Sequence, residues 1–298
     1  MSGPRLAFAG EPGSFAEDAA LAYMPGCQTL TCATFRDTFH AAASGMADGS
    51  VVPIENVSHG TVREVYDLML AHSLSIVGEV EVPVHLCLAA LPGHKLDDVQ
   101  RVYSHVQALA QADPYLRSRP WTLLASTTTA GAGKELVERG ERGAAAVMSR
   151  RAAALYGLTV LADGIQSDAR NRTRFLVLAA DIVPAWLPRL VPPADEGRAT
   201  RTTLALGVAN EPGSLLRVLS VLAGHGINLS KLESRPSRER DWEYVFWVDL
   251  DTDLCASNQT AVMRELQAVT VSLRLMGCYP FGGGAAVRAE SASPRPVA

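Results

Sequence analysis

The sequence has no apolar run approaching the ~20 residues that a bilayer-spanning helix needs, which excludes a chain built on membrane helices. It has no basic excess either. Its 27 Lys and Arg stand against 31 Asp and Glu, a net charge of −4, which argues against nucleic acid or an anionic membrane surface as partner. Seven histidines show no HExxH pattern and no clustering with cysteine, so a dedicated metal site is not expected. The five cysteines (Cys27, Cys32, Cys87, Cys255 and Cys278) are odd in number and scattered, and they read as reduced thiols of a cytoplasmic protein. The first residues run straight into an apolar strand without the pattern of a secretory leader. What the chain does hold is core material. Hydrophobic residues make up 48% and charged residues 19% of 298 positions, which excludes disorder as the main state and suits two domains.

Through residue 182 one rhythm repeats: a short apolar strand, a turn, an amphipathic helix. Residues 6–9 read as a strand and 14–23 as a helix; Thr34 caps a helix over 35–43 with Asp37 at the capping-box position. Residues 51–54 form a buried strand and 62–71 a helix with Val62, Val65, Tyr66 and Met69 on one face. The strand-like stretches 74–84 and 86–91 carry the chain into a second lobe. A strand at 101–104, a helix over 106–117, a helix from Thr127 or Thr128 to Gly140, a strand at 144–148 and a Ser149-capped helix stopped by Gly157 follow. Alternating β and α elements imply an α/β fold with largely parallel sheets and loops gathered at the strand ends.

The proline-rich stretch 183–200 has linker composition. Behind it, residues 201–281 carry strand, helix, strand, strand, helix and strand, the ferredoxin-like βαββαβ plan. Trp242, Tyr244, Phe246, Val248 and Leu250 alternate with their neighbours at the period of a half-buried strand. Residues 282–298, with no periodicity, read as a disordered tail.

Several constellations fall at strand-to-helix junctions. The Gly10-Glu11-Pro12-Gly13-Ser14-Phe15 turn presents helix N–H groups to an anion, or merely begins a helix. The letters Glu-Pro-Gly-Ser recur at 211–214, either for a second anion or by coincidence. Glu55-Asn56, Ser104-His105 and Thr127-Thr128-Thr129 close strands or open helices in the same manner. Asn171-Arg172-Thr173-Arg174-Phe175 enters the last strand of the α/β part. An Arg there could pair bidentately with a carboxylate and Thr173 could offer a proton, or the arginines could be a plain strand start.

Together these residues resemble prephenate dehydratase: residues 10–15, Pro53-Ile54-Glu55-Asn56 with Gly60, Gly78-Glu79, Ser104-His105 with Gln107-Ala108-Leu109 and Gln111, and above all Asn171-x-Thr173-Arg174-Phe175. Gly213, Leu215, Ile227-Asn228-Leu229 and Glu233-Ser234-Arg235-Pro236 resemble the phenylalanine-sensing ACT domain fused to that enzyme. The resemblance implies a two-lobed catalytic domain like periplasmic binding proteins over 1–182 and an α+β ACT domain over 201–281. It implies a cytoplasmic, cofactor-free lyase of phenylalanine biosynthesis that converts prephenate to phenylpyruvate. Thr173 and Arg174 are the implied catalytic residues. Ser14, Phe15, Glu55, Asn56, Ser104, His105, Thr129, Asn171 and Phe175 are the implied substrate contacts.

The implied effector, L-phenylalanine, meets Gly213, Ser214, Leu215, Asn228, Glu233 and Ser234, with the ACT modules pairing in a homodimer or homotetramer. The sequence departs from the family pattern at Val57, where a serine is usual and substrate contact is expected, at Val106 and at Ser167. Residues 71–84 and 107–111 also resemble arogenate dehydratases, whose substrate carries an amine in place of the keto oxygen. A non-catalytic amino-acid sensor is the reading from another class, and Thr173 beside Arg174 speaks against it.

Overall fold

The structure is a computed structural model and describes residues 3–180, 199–237 and 244–281. It divides into two compact units: residues 3–72 with 80–175, and residues 73–79 with the described residues from 176 to 281. The expected linker lies outside the described residues except for Ala199 and Thr200, which already belong to a strand, and the expected tail lies wholly outside them.

In the first unit two lobes follow one another. The first contains β1 (Arg5–Ala9), α1 (Phe15–Tyr23), β2 (Gln28–Cys32), α2 (Phe35–Ala43), β3 (Gly49–Asn56), β4 (Gly60–Thr61), α3 (Arg63–Ala71) and β5 (Leu74–Pro83). The second contains β6 (Cys87–Ala90), β7 (Arg101–Ser104), α4 (Val106–Gln111), α5 (Asp113–Arg117), β8 (Thr122–Ala125), α6 (Thr129–Arg139), β9 (Ala144–Met148), α7 (Arg150–Leu155) and β10 (Thr159–Asp163). The chain then returns as β11 (Arg172–Ala180) to the first sheet, whose order is β2-β1-β3-β11-β5 with β4 hairpinned on β3. The unit division falls within β5 and β11.

The second sheet has the order β10-β6-β9-β7-β8. Strand β7 is parallel to both neighbours, but β6 runs antiparallel to β9 and β10, so this sheet is mixed rather than largely parallel. The cause is the crossover itself, because β6 enters from the first lobe without a helix to reverse it.

Two strands of chain join the lobes, residues 84–86 and 164–171, and they bond to each other. Val84 N–H donates to Asn171 O at 2.9 Å, Ile165 N–H to Leu86 O at 3.0 Å, and Leu86 N–H to Gln166 Oε1 at 2.9 Å.

Local sequence explains where the helices start. Ser14, Thr34, Thr128 and Ser149 each accept a backbone N–H of the first turn, and Thr34 forms the full capping box with Asp37. The helix expected over 106–117 breaks into α4 and α5 at Ala112. Pro114 has no N–H to continue the ladder, so a new helix begins around it.

The second unit contains β12 (Ala199–Gly207), α8 (Ser214–Gly224), β13 (Leu229–Pro236), β14 (Tyr244–Leu250), α9 (Thr260–Val269) and β15 (Ser272–Phe281), in the sheet order β13-β14-β12-β15. That is the expected βαββαβ plan. Leu204, Leu206, Val248 and Leu250 of the sheet meet Val218, Leu222, Val262 and Leu266 of the helices in one core. Cys255 and Cys278 are joined as a disulfide, which corrects the reading of five reduced thiols. The loop after β14 returns beside β15, a proximity that scattered sequence positions conceal. Cys27, Cys32 and Cys87 are free. Asp253 lies close enough to both bonded sulfurs to share an ion with them, but disulfide sulfurs are not thiolate ligands.

Candidate active site

A cleft of about 800 Å³ opens between the two lobes of the first unit, within the size range of small-molecule sites. The first lobe lines it with the Gly10–Ala16 turn, Thr34, Pro53, Asn56 and residues 59–64, together with Thr173 and Phe175 of β11. The second lobe contributes Leu86, His105, Gln107, Gln111, residues 127–130 and Ser149.

Asn56 ends β3 and organises the floor. Its Oδ1 accepts the backbone N–H of Ser58 at 2.9 Å and of His59 at 3.0 Å. Two backbone donors fix which end of the amide is oxygen. Its Nδ2 therefore donates, to Asn171 Oδ1 at 2.9 Å, Thr173 Oγ1 at 2.9 Å and Arg172 O at 3.2 Å. Thr173 Oγ1 is thus an acceptor on its protein side, and its own hydrogen is left for the cleft.

The turn before α1 is held from both lobes. Ser149 Oγ donates to Gly13 O at 2.9 Å, Tyr156 OH to Pro12 O at 2.8 Å, and Lys134 Nζ pairs with Glu11 at 3.0 Å. Glu17 accepts the Gly13 N–H at 2.7 Å, and Arg151 of α7 reaches both Glu17 and Asp18 of α1. Gly13 has φ +87°, and a Cβ there would lie 2.8 Å from the Ala152 backbone. Phe15, next along, packs against the second lobe's core. Burial opposes charge on Glu17, but the Gly13 N–H, Arg151 and Thr29 outweigh it and hold the carboxyl below its ordinary value.

Of the expected substrate contacts, Ser14, Phe15, Asn56, His105, Thr129 and Phe175 line the cleft, as does Thr173. His105 caps α4 by accepting the Gln107 N–H, and burial lowers its pKa below the ordinary imidazole value. Five expectations need correction. Arg174 is on the other side of β11 from Thr173 and Phe175, as strand alternation requires; it pairs with Glu55 at 3.5 Å, and neither residue lines the cleft. Ser104 is fully buried and donates to Val147 O of the neighbouring β9 at 2.7 Å. Asn171 is buried behind Asn56 and acts on the cleft through it. Val57 is exposed and outside the cleft, its N–H spent on Arg172 O.

His59, Thr61, Arg63, Gln107 and Gln111 line the cleft without having been singled out as site residues. For Gln107 and Gln111 the signal was present in the motif after Ser104-His105. For His59 and Arg63, turn and helix-start positions, no sequence pattern marked them.

The sequence profile described as prephenate dehydratase matches residues 6–182. The chain belongs to the prephenate dehydratase family. The ACT domain profile matches residues 202–254. The chain is 36% identical to arogenate dehydratase/prephenate dehydratase 1 of Arabidopsis thaliana, over 93% of this chain and 72% of that protein. It is 39% identical to arogenate dehydratase 1 of Petunia hybrida, over 93% and 67% respectively. The prephenate dehydratase of Arthrobacter aurescens, solved in complex with L-Phe, is 28% identical and covers 93% of this chain and 90% of its own, with a TM-score of 0.81. A structure described as a novel type of quorum quenching acylase is 30% identical, covers 94% and 98%, and has a TM-score of 0.83.

The prephenate dehydratase relationship makes this chain a lyase-type dehydratase with a C-terminal ACT domain, so the enzyme reading stands over the sensor. No described helix is long and apolar enough to cross a membrane.

The expected effector residues are all in the second unit. Gly213 precedes α8 in the left-handed region at φ +84°, and Ser214 is buried, its Oγ accepting from Arg217 at 2.9 Å. Asn228 donates to Asp251 at 2.7 Å. Glu233 pairs across to Trp247 in β14, whereas Ser234 points to the opposite face of β13. Leu215, half-buried, follows Ser214 in the first turn of α8.

Proposed function

We propose that the chain converts prephenate to phenylpyruvate with Thr173 as the proton donor. The bond from the ring to its carboxylate breaks, its electron pair enters the ring, and the ring hydroxyl leaves with a proton as water. The products are carbon dioxide, water and an aromatic ring. The driving force is intrinsic to the substrate, and the barrier lies in expelling a poor leaving group, so one placed acid contributes ~10²–10⁴-fold. The observation that carries this reading is the Asn56 to Thr173 hydrogen bond at 2.9 Å, which turns the threonine hydrogen toward the cleft. Arg63 and the N–H groups at the starts of α1 and α6 are the donors for the substrate's two carboxylates.

Arogenate is the second reading, favoured by the naming of the plant relatives. Incubation with each acid separates the two: phenylpyruvate is read by its absorbance in alkali, phenylalanine by chromatography. Phenylpyruvate from prephenate at the higher kcat/KM is expected, and no product from either acid would remove the dehydratase assignment.

We further propose that L-phenylalanine, present in the Arthrobacter aurescens complex, binds the ACT domain as a feedback inhibitor. Its carboxylate would meet the N–H groups at Gly213 and Leu215 and its ammonium Asn228 and Glu233, with a second copy pairing along the β13 edge. Calorimetry on the intact protein detects the binding, and light scattering gives the number of copies.

A further inference from the structure

His59 occupies the turn between β3 and β4 and lines the cleft. Its ring Nδ1 stands 3.1 Å from Nε2 of Gln111, which comes from α4 in the other lobe, and 3.2 Å from Asn56 Oδ1. Asn56 Oδ1 already accepts two backbone N–H groups, so a third donor adds little there. The Gln111 amide nitrogen has no lone pair to offer and can only donate. With the Gln111 amide in this orientation, Nδ1 is the acceptor and Nε2 carries a ring hydrogen. That nitrogen has no protein hydrogen bond among the described residues, on an exposed side chain at the cleft.

We propose that His59 is a substrate-binding residue, donating from Nε2 to a carboxylate of the dianion in the cleft, with Gln111 fixing the tautomer. The assignment rests on the dehydratase reading above. It gives the substrate a contact on a first-lobe turn that a second-lobe side chain orients, so binding draws on both walls of the cleft. Position 59 lies two residues beyond Val57, the place where a serine is usual, and it supplies a donor at the cleft that Val57 does not.

Three variants test it: His59→Leu, His59→Gln and His59→Asn. The terminal amide nitrogen of Gln overlays the place of Nε2, and that of Asn the place of Nδ1. With the acid that the parent turns over, the expected result is a KM raised ~10–100-fold in His59→Leu and His59→Asn, the size of one lost hydrogen bond to a charged group. His59→Gln should return KM to within about 5-fold of the parent, and kcat should stay within about 3-fold throughout, the signature of lost ground-state binding. Melting temperatures, measured on the same samples, should match the parent.

An unchanged KM in His59→Leu overturns the assignment, and so does a His59→Gln no better than His59→Asn. A loop that merely leaned on the ring would lose heat stability in all three variants alike, which overturns it too. A parent that turns over neither acid removes the dehydratase reading and this one with it. An active parent with an indifferent His59 removes this one alone.

Discussion

Asn56 Nδ2 and Thr173 Oγ1 are 2.9 Å apart across neighbouring strands of one sheet, and the donor is fixed by the backbone rather than by choice of rotamer. The oxygen end of the amide is claimed by two N–H groups of the following turn. The nitrogen end has no option but to face Thr173. A threonine hydroxyl is a poor acid, and a donor on its oxygen both orients it and stabilises the charge that builds as its proton leaves.

This arrangement makes Asn56→Asp a sharp test. A carboxylate at that position would present an acceptor to Asn171 Oδ1, Arg172 O and Thr173 Oγ1 together. Thr173 would then donate to it, turning its hydrogen away from the cleft. The expected outcome is a fall in kcat of ~10²–10⁴-fold with a much smaller change in KM. Thr173→Val, which keeps the shape and loses the hydroxyl, should match it, and the double variant should be no worse than either alone. Steady-state kinetics on the three proteins decides this, and additive losses would separate the two residues.

The α/β rhythm, the caps at Thr34, Thr128 and Ser149, and the βαββαβ order were all legible in the sequence, because each rests on local spacing. What was not legible depended on partners far along the chain. Ser104 appeared to close a strand beside the cleft, but β9 lies next to β7 and its Val147 carbonyl takes the hydroxyl. That neighbour is 43 residues away. Arg174 is different, since strand alternation alone places it opposite Thr173 and Phe175. His59 belongs to a third kind, a turn residue whose importance comes only from the amide that its backbone holds.

Gly13→Ala should damage the first unit more than an ordinary surface change. The backbone there is left-handed, and the added methyl would lie 2.8 Å from both Cα and Cβ of Ala152 in α7. Left-handed strain costs ~1–2 kcal/mol and relief of the clash must move the turn that carries Ser14. A urea midpoint lowered by an amount worth at least ~2 kcal/mol is expected, together with a raised KM. A variant as stable as the parent would mean that α1 and α7 are not held together as described.

Acid should weaken the same contact through Glu17. Its folded-state pKa lies below the ordinary 4.5, so its contribution is fully present above that value and is lost as pH falls below it toward the folded value. Asp18 works in the opposite sense: burial, outweighing Arg151, holds its pKa above the ordinary 3.8, so protonating it favours the folded state. Comparing the parent with Glu17→Gln isolates the first effect. The stability gap between them, from urea unfolding, should be full near neutral pH and should shrink as pH drops through 4.5. A gap that stays constant down to about pH 3 would show that Glu17 keeps its charge in neither state or both.

Arg201 offers the last test, on the second unit. Its Nη1 lies 3.0 and 2.9 Å from the two oxygens of Glu79, its Nη2 3.4 Å from Asp251, and its guanidinium carbon 3.9 Å from the centre of the Phe281 ring. The two side chains are only 11% and 8% exposed, so removing one charge takes an ion partner from the other in poorly solvated surroundings. Arg201→Met should cost on the order of 3 kcal/mol, read as a lowered urea midpoint. Arg201→Lys should also lose stability, because one ammonium nitrogen cannot meet Glu79 and Asp251 together while covering the Phe281 ring. Adding Glu79→Gln to Arg201→Met removes the carboxylate that faced Arg201 and should recover part of the loss, since the two residues are in contact and their effects do not add. If the double variant is less stable than Arg201→Met by the full cost of Glu79→Gln alone, the pair is not coupled and another contact of Glu79 carries its burial.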